Sequence, residues 1–120
     1  MKYGMNLLLW GGEVTDAMLP TLEKLKKMGF DGVELPIFNL DLDYARLGKQ
    51  LDGIGLARTA VTVRNVDDNP ISAEAATRKR GIELNQRTLD CCAAAGVETL
   101  VGPFHSALGH FPGHSRTVDE

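Results

Sequence analysis

Four short stretches of the chain have strand character, and none alternates cleanly between apolar and polar positions. They cover residues 4–10, 32–37, 56–63 and 99–104. Short, mainly apolar runs that do not alternate are typical of strands that are covered on both faces, as in parallel sheets. The pattern therefore predicts four buried strands.

Between these runs, apolar residues recur at helical spacing. The predicted helices cover residues 16–28, 43–54 and 72–95. Gly29, Gly55 and Gly96 follow their last turns, as expected for helix C-termini, and Ser72 is the predicted N-cap of the third helix. Its inner face is predicted to carry Leu84, Thr88, Cys92 and Ala95.

The predicted order is β-α-β-α-β-α-β, in which each right-handed crossover adds a parallel strand. No GxGxxG motif follows the first strand, which disfavours a dinucleotide-binding sheet. Residues 117–120 resemble the start of a fourth helix, and a full barrel takes about 250 residues. We therefore expect an α/β fold in which residues 1–120 form the N-terminal half of a (β/α)₈ barrel, from the first strand to the start of the fourth helix.

The net charge limits the kinds of partner that the chain can bind, and the cysteines indicate its compartment. Thirteen basic residues stand against sixteen acidic ones, for a net charge of −3, which argues against nucleic acid or an anionic membrane. No secretion signal or membrane span is evident in the sequence. Cys91 and Cys92 are adjacent in a helical pattern and are expected to be reduced thiols, as in a cytoplasmic protein.

Ligands of parallel α/β folds bind at the carboxyl ends of the strands. The predicted ends deliver an indole, a carboxylate, a guanidinium, an imidazole and a hydroxyl, a set suited to a small polyhydroxylated molecule. These groups belong to Trp10, Glu34, Arg64, His105 and Ser106. Each also has a structural interpretation: Trp10 as a plug of the barrel, and Glu34 as a loop-holding carboxylate or the ion-pair partner of Arg64.

All three histidines, His105, His110 and His114, lie within ten positions of one another. They do not share a helix face, and no nearby acid completes a familiar set of metal ligands. The spacing favours substrate contact or loop hydrogen bonding over metal binding.

Three segments resemble sugar isomerases and epimerases with a xylose isomerase-like barrel, most of all ketose 3-epimerases. The segments are "MKYGMNLLLW", "KKMGFDGVELP" and "EAATRKRGIELNQRTLDCCAAAGVETLVGPFHSALG". The resemblance covers essentially all 120 residues and implies the N-terminal half of such a barrel. No single motif within it has the specificity of a metal signature.

The resemblance implies an isomerase that works through an enediolate on one divalent metal, Mn²⁺ or else Mg²⁺ or Co²⁺. The metal ligands and both proton-transfer groups of that family lie on strands five to eight. We therefore expect no catalytic residue and no metal ligand in this chain, and no activity from the chain alone. A small sugar is the implied substrate, and a homo-oligomer is expected.

Pocket lining is carried over from the resemblance to Trp10, Glu34, His105 and Ser106, and Leu108 stands where some psicose epimerases have tryptophan. At Asn6 many relatives have an aromatic residue, so the particular ketose stays open. Two alternatives remain. One is a non-catalytic half-barrel that pairs with a second chain, and the other is an endonuclease IV-like protein, which would need several histidines on these strands and a basic groove.

Overall fold

A computed structural model describes residues 1–111 and 113 and contains one four-stranded sheet with all neighbouring strands parallel, in the order β1-β2-β3-β4. The strands are β1 Gly4–Asn6, β2 Gly32–Pro36, β3 Ala57–Val61 and β4 Leu100–Val101. The helices between them are α1 Leu19–Lys27, α2 Tyr44–Ile54 and α3 Ala75–Ala95. This arrangement confirms the predicted fold class, four parallel strands with three intervening helices.

The hydrophobic core lies between the sheet and its helices. Val33 and Leu35 of β2 are buried in it, together with Leu22 of α1 and Leu51 of α2. Since successive strand residues point to opposite faces, Glu34 faces away from this core. The sheet therefore has a packed helical face and an inner face, which in a barrel is the interior.

The ends of β1 and β4 differ from the prediction. The strand predicted over residues 4–10 stops at Asn6, because the Asn6 side chain accepts a hydrogen bond from the Leu8 amide and caps a 3₁₀ turn, Leu7–Leu9. The strand predicted over residues 99–104 contains only two paired residues. Gly102 and Pro103 end it, since proline has no amide hydrogen for the ladder.

Helix α2 confirms its predicted bounds to one residue. Asp43 caps its start by accepting from the Arg46 amide, and Gly55 ends it with a left-handed backbone at φ 80°. Gly96 ends α3 in the same way at φ 69°. A residue with a Cβ is disfavoured in this conformation, which is why the glycines mark helix ends so reliably in the sequence.

The prediction of Ser72 as the N-cap of α3 was wrong. Glu74 is the cap, and its carboxylate accepts from the amides of Ala76 and Thr77 and from the Thr77 hydroxyl. Ser72 instead accepts from the Glu74 amide. On the inner face, Thr88, Cys92 and Ala95 are buried as predicted. Leu84 is only half-buried, and Gly81 takes the fully packed position one turn before it.

Replacing Glu74 with glutamine is expected to make stability less dependent on pH in the acid range. Hydrogen bonds from Thr77 and Ala76 lower the pKa of the Glu74 carboxyl below its ordinary value of 4.5. A lowered pKa means a stabilising contribution that is present above about pH 4.5 and is lost as pH falls through the folded-state value. Thermal unfolding from pH 7 to pH 3 should show the wild type and Glu74→Gln converging at low pH. A constant difference between them would contradict this assignment.

Three predictions about the chain as a whole can be compared with the described residues only. The start of a fourth helix at 117–120 lies outside the described residues, so the treatment of residues 1–120 as one partial barrel stays a prediction. Among residues 1–111 and 113, no helix has the length and apolar character needed to cross a membrane. Cys91 and Cys92 are both free thiols, as predicted.

Candidate functional site

Of the five residues predicted to line a pocket, four lie in the segments after β1 and β4, whereas Glu34, predicted at a strand end, lies inside β2. Trp10 follows the 3₁₀ turn after β1 and is 47% exposed, whereas Glu34 is half-buried in the middle of β2. His105, Ser106 and Leu108 lie in the segment after β4, where Leu108 is 55% exposed. Because the strands are parallel, the segments after β1 and β4 leave the same edge of the sheet.

Trp10 and His105 follow the two outer strands of the sheet. At a strand spacing of about 4.8 Å, the ends of β1 and β4 are separated by roughly 14 Å along the sheet. Trp10 and His105 therefore lie in segments that leave the same edge of the sheet from its two outer strands. Glu34 lies deeper, on the inner face between them.

Glu34 belongs to a polar row that crosses three strands. Asn6, Glu34 and Thr59 are in register on β1, β2 and β3. The Asn6 amide Nδ2 donates to Glu34 Oε1 at 2.7 Å, and the Thr59 hydroxyl donates to Oε2 at 3.4 Å. The interpretation of Arg64 as the ion-pair partner of Glu34 was therefore wrong, because neighbouring strands satisfy the carboxylate.

The same row connects Glu34 to the backbone before Trp10. While Asn6 donates to Glu34 through Nδ2, its Oδ1 accepts from the Leu8 amide at 2.8 Å. The Trp10 amide then closes the turn by donating to the Leu7 carbonyl at 2.9 Å. The Glu34 carboxylate thus fixes the side chain that caps the turn leading to Trp10.

An open cleft of about 410 Å³ covers the polar row and continues toward the amino ends of the strands. Glu34 is among its lining residues, with Asn6 and Thr59, whereas Trp10, His105, Ser106 and Leu108 are not. The five predicted residues therefore do not surround one cavity. Glu34 lies on the inner face of the sheet, and Trp10, His105, Ser106 and Leu108 lie in the segments that follow its carboxyl edge.

A second cavity of about 520 Å³ opens at the carboxyl ends of β2 and β3. The residues that line it include Phe38, Asn39, Val63 and Asn65. An exposed pair between Arg87 and Asp41, with Nη2 and Oδ1 3.0 Å apart, lies on its wall. Amide and charged groups on these walls suit a small polar ligand. Of the residues predicted at strand ends, Arg64 lines this cavity, whereas Trp10, Glu34, His105, Ser106 and Leu108 do not.

Arg64 is a buried residue that borders the second cavity, and the contacts of its side chain are structural. Its side chain is 5% exposed and donates four hydrogen bonds: Nε to Asn85 Oδ1 at 2.7 Å, Nη1 to the Val63 carbonyl at 2.8 Å, and Nη2 to Thr88 Oγ1 at 2.6 Å and the Leu84 carbonyl at 3.2 Å. Burial lowers the pKa of the guanidinium, and the charge of Asp68 opposes the shift. Arg64 therefore joins the end of β3 to α3.

The Arg64 backbone also holds the segment that carries His105 and Ser106. Its amide donates to the Pro103 carbonyl at 3.3 Å, and its carbonyl accepts from the Leu108 amide at 2.7 Å. Asn85 of α3 donates to the Phe104 carbonyl at 3.1 Å. Sequence reasoning missed Asn85, although an asparagine inside a long helix is unfavourable and signals a role for its side chain.

The described residues do not fit a divalent metal. Within 1–111 and 113, no three His, Cys, Asp or Glu side chains form a cluster able to hold one. His105 and His110 are exposed, and His114 lies outside the described residues. Burial raises the pKa of the Cys91 and Cys92 thiols, which disfavours the thiolate form that binds metals.

Comparison with known proteins reveals similarity along the whole chain. The chain is 30% identical over 125 residues to the D-psicose 3-epimerase of Agrobacterium fabrum, which covers 100% of the chain and 42% of that enzyme. It is also 30% identical to the ketose 3-epimerase of Arthrobacter globiformis over 112 residues, 90% of the chain and 38% of that enzyme. No family model matches the chain.

A crystal structure of D-allulose 3-epimerase from Methylomonas sp. in complex with D-allulose superposes with a TM-score of 0.82 at 25% identity. The superposition covers 94% of the chain and 40% of the enzyme. The chain therefore spans about two fifths of the length of the relatives it matches. These comparisons confirm the resemblance to ketose 3-epimerases, and the structural match to about two fifths of such an enzyme confirms the predicted fold class.

Proposed function

We propose that this chain forms the N-terminal part of a sugar isomerase of the ketose 3-epimerase type and supplies one side of its substrate mouth. The match of the whole chain to D-psicose 3-epimerase carries the proposal. Its substrate is a small ketose or a close derivative, epimerised at the carbon next to the carbonyl. Consistent with a soluble sugar as partner, the net charge of −3 offers no attraction for nucleic acid, and two reduced thiols suit the cytoplasm.

Each mouth residue has a role that its exposure allows. The half-exposed indole of Trp10 offers an apolar surface to the C–H face of a sugar ring, and Leu108 offers an apolar wall from the opposite side. His105 and Ser106 supply groups that exchange hydrogen bonds with sugar hydroxyls. Glu34 acts from below by fixing Asn6 and, through it, the turn before Trp10.

The reaction itself requires groups that the described residues do not supply. A divalent metal, Mn²⁺ or else Mg²⁺ or Co²⁺, is part of the proposal, but no cluster of ligands for it lies within 1–111 and 113. As the resemblance to ketose 3-epimerases implies, we assign the metal ligands and the proton-transfer groups to strands five to eight of a full barrel and not to residues 1–120. We expect the 120-residue chain with Mn²⁺ to leave fructose, tagatose and allulose unchanged.

A second candidate, a half-barrel that assembles with another chain, has one observation in its favour. Val101, on the outer strand β4, is 41% exposed, and within residues 1–111 and 113 neither β1 nor β4 has a second neighbouring strand. Unpaired edges invite pairing. Light scattering tests this association: a discrete dimer at micromolar concentration supports assembly and the expected homo-oligomer, and a monomer contradicts both.

Titration of the ¹⁵N-labelled chain with D-allulose, D-fructose and D-tagatose tests the sugar site. We expect dissociation constants on the order of 1 mM, since half of a mouth offers few contacts. The shifted resonances should be the indole of Trp10, the only tryptophan, and the amides of residues 104–108. Trp10→Ala should weaken binding several-fold, because the indole supplies the apolar surface.

Met28→Ala is the matched control, since Met28 is an exposed apolar residue at the amino end of β2, away from the mouth. It should bind sugar like the wild type. Equal losses in Trp10→Ala and Met28→Ala, or shifts confined to the amino edge of the sheet, would contradict the proposed site. Epimerisation by the 120-residue chain would contradict the assignment of the reacting groups to residues outside it.

A further inference from the structure

Asn85 bridges two groups of opposite hydrogen-bonding character. It lies half-buried in the middle of α3, where its Oδ1 accepts from Arg64 Nε at 2.7 Å and its Nδ2 donates to the Phe104 carbonyl at 3.1 Å. A guanidinium only donates and a carbonyl only accepts. The chemistry of the two partners therefore sets the orientation of the Asn85 amide.

The choice of an amide at this position is informative. Within the described ranges the buried Arg64 guanidinium forms no ion pair with a carboxylate, so an aspartate at position 85 would pair with it more strongly. A carboxylate cannot donate to the Phe104 carbonyl, whereas an amide satisfies both groups. Asparagine can form the hydrogen bond to Phe104 and aspartate cannot, so this bond explains the need for an amide at position 85.

That bond holds the interior of the segment that carries the proposed sugar contacts. The Arg64 backbone pins the two ends of this segment, at Pro103 and at Leu108. Between those ends, among the hydrogen bonds of the described residues, the Asn85 bond to Phe104 is the one that comes from a helix side chain. Phe104 directly precedes His105 and Ser106.

We propose that Asn85 is a positioning residue of the mouth: it holds the Phe104 carbonyl and thereby orients His105 and Ser106 toward a bound sugar. The part of this proposal that concerns sugar rests on the proposed function, whereas the anchoring of Phe104 does not. Asn85 does not touch the ligand. Through its two hydrogen bonds, it holds the segment after β4 at a fixed position relative to the buried Arg64 side chain.

Asn85→Asp isolates this role. The variant keeps an acceptor for Arg64 and should fold, since it places a carboxylate beside a buried cation, but it loses the donor to Phe104. We expect amide hydrogen exchange at Phe104 and Leu108, the two amides of residues 104–108 shown donating hydrogen bonds, to become about tenfold faster, as for the loss of one hydrogen bond, while α3 exchanges as in the wild type. The dissociation constant for D-allulose should rise by a similar factor.

Gln86→Glu is the matched control, because it makes the same amide-to-carboxylate change at the next, exposed position of α3. It should leave exchange and sugar affinity unchanged. Asn85→Ala provides a second variant that also lacks the donor, so that the anchoring is tested even if the aspartate variant does not fold.

The exchange rates decide the anchoring. Faster exchange at Phe104 and Leu108 of Asn85→Asp, but not of Gln86→Glu, supports it, and wild-type rates in Asn85→Asp and Asn85→Ala overturn it. Sugar binding by the wild-type chain decides the proposed function separately. If the wild type binds sugar and Asn85→Asp binds it equally well, despite faster exchange, the orienting role of Asn85 is overturned.

Discussion

Replacing Arg64 by alanine is expected to lower the free energy of unfolding by about 3–4 kcal/mol, the largest effect of any single substitution considered for this chain. The substitution removes a buried side chain that makes four hydrogen bonds and leaves a cavity between β3 and α3. It also leaves Oδ1 of the half-buried Asn85 without its donor. Urea unfolding followed by circular dichroism measures the change.

Arg64→Lys should recover only part of this loss. Lysine retains the charge, but it lacks the planar fork with which Arg64 reaches Asn85 and Thr88 at the same time. Arg46→Ala is the control, since Arg46 is an exposed arginine paired with Asp16 at 2.5 Å and should unfold close to the wild type. If Arg64→Ala and Arg46→Ala unfolded at the same urea concentration, the structural role assigned to Arg64 would be wrong.

Gly81→Ala is expected to destabilise the chain by about 3 kcal/mol, although alanine is the better helix former. Gly81 is buried in α3 against the turn that follows β3. A Cβ at this position would collide with the Asp68 carbonyl oxygen and would lie 2.7 Å from the Pro70 nitrogen. Both are backbone atoms, so relief requires the helix or the 66–70 turn to move.

Gly53→Ala provides the opposite case within a helix of the same chain. Gly53 lies inside α2, and a Cβ there meets no atom within 4 Å. With no clash to offset it, the gain in helix propensity should stabilise the chain by about 0.5–1 kcal/mol. Thermal unfolding of the two variants should give shifts of opposite sign. A Gly81→Ala variant that unfolded at or above the wild-type temperature would contradict the close packing at Gly81.

Much of the candidate site was accessible from the sequence because it follows from strand ends. Trp10, His105 and Ser106 were predicted at the carboxyl edge simply because they follow apolar runs, and the parallel sheet places them there. The roles of Arg64 and Glu34 were accessible only in part. The sequence suggested that they pair with each other. In the structure Glu34 accepts hydrogen bonds from Asn6 and Thr59, and Arg64 donates hydrogen bonds to Asn85 and Thr88 of α3.

The difference has a physical cause. Residue type shows that a buried carboxylate or guanidinium needs partners, but many side chains can meet that need. Strand register selects Asn6 and Thr59 for Glu34, and the packing of α3 on β3 selects Asn85 and Thr88 for Arg64. Register and helix packing depend on contacts between residues more than twenty positions apart, which leave no periodic signal in a single sequence.

The sequence by itself determined the order of elements, the parallel sheet and the resemblance to ketose 3-epimerases. Apolar periodicity and the glycines at helix ends are local properties, readable within a window of a few turns. Tertiary structure alone decided that β1 stops at Asn6, that Glu74 rather than Ser72 caps α3, and that Asn85 reaches Phe104. Each of these depends on which polar group comes within hydrogen-bond distance of another, and only the folded chain sets those distances.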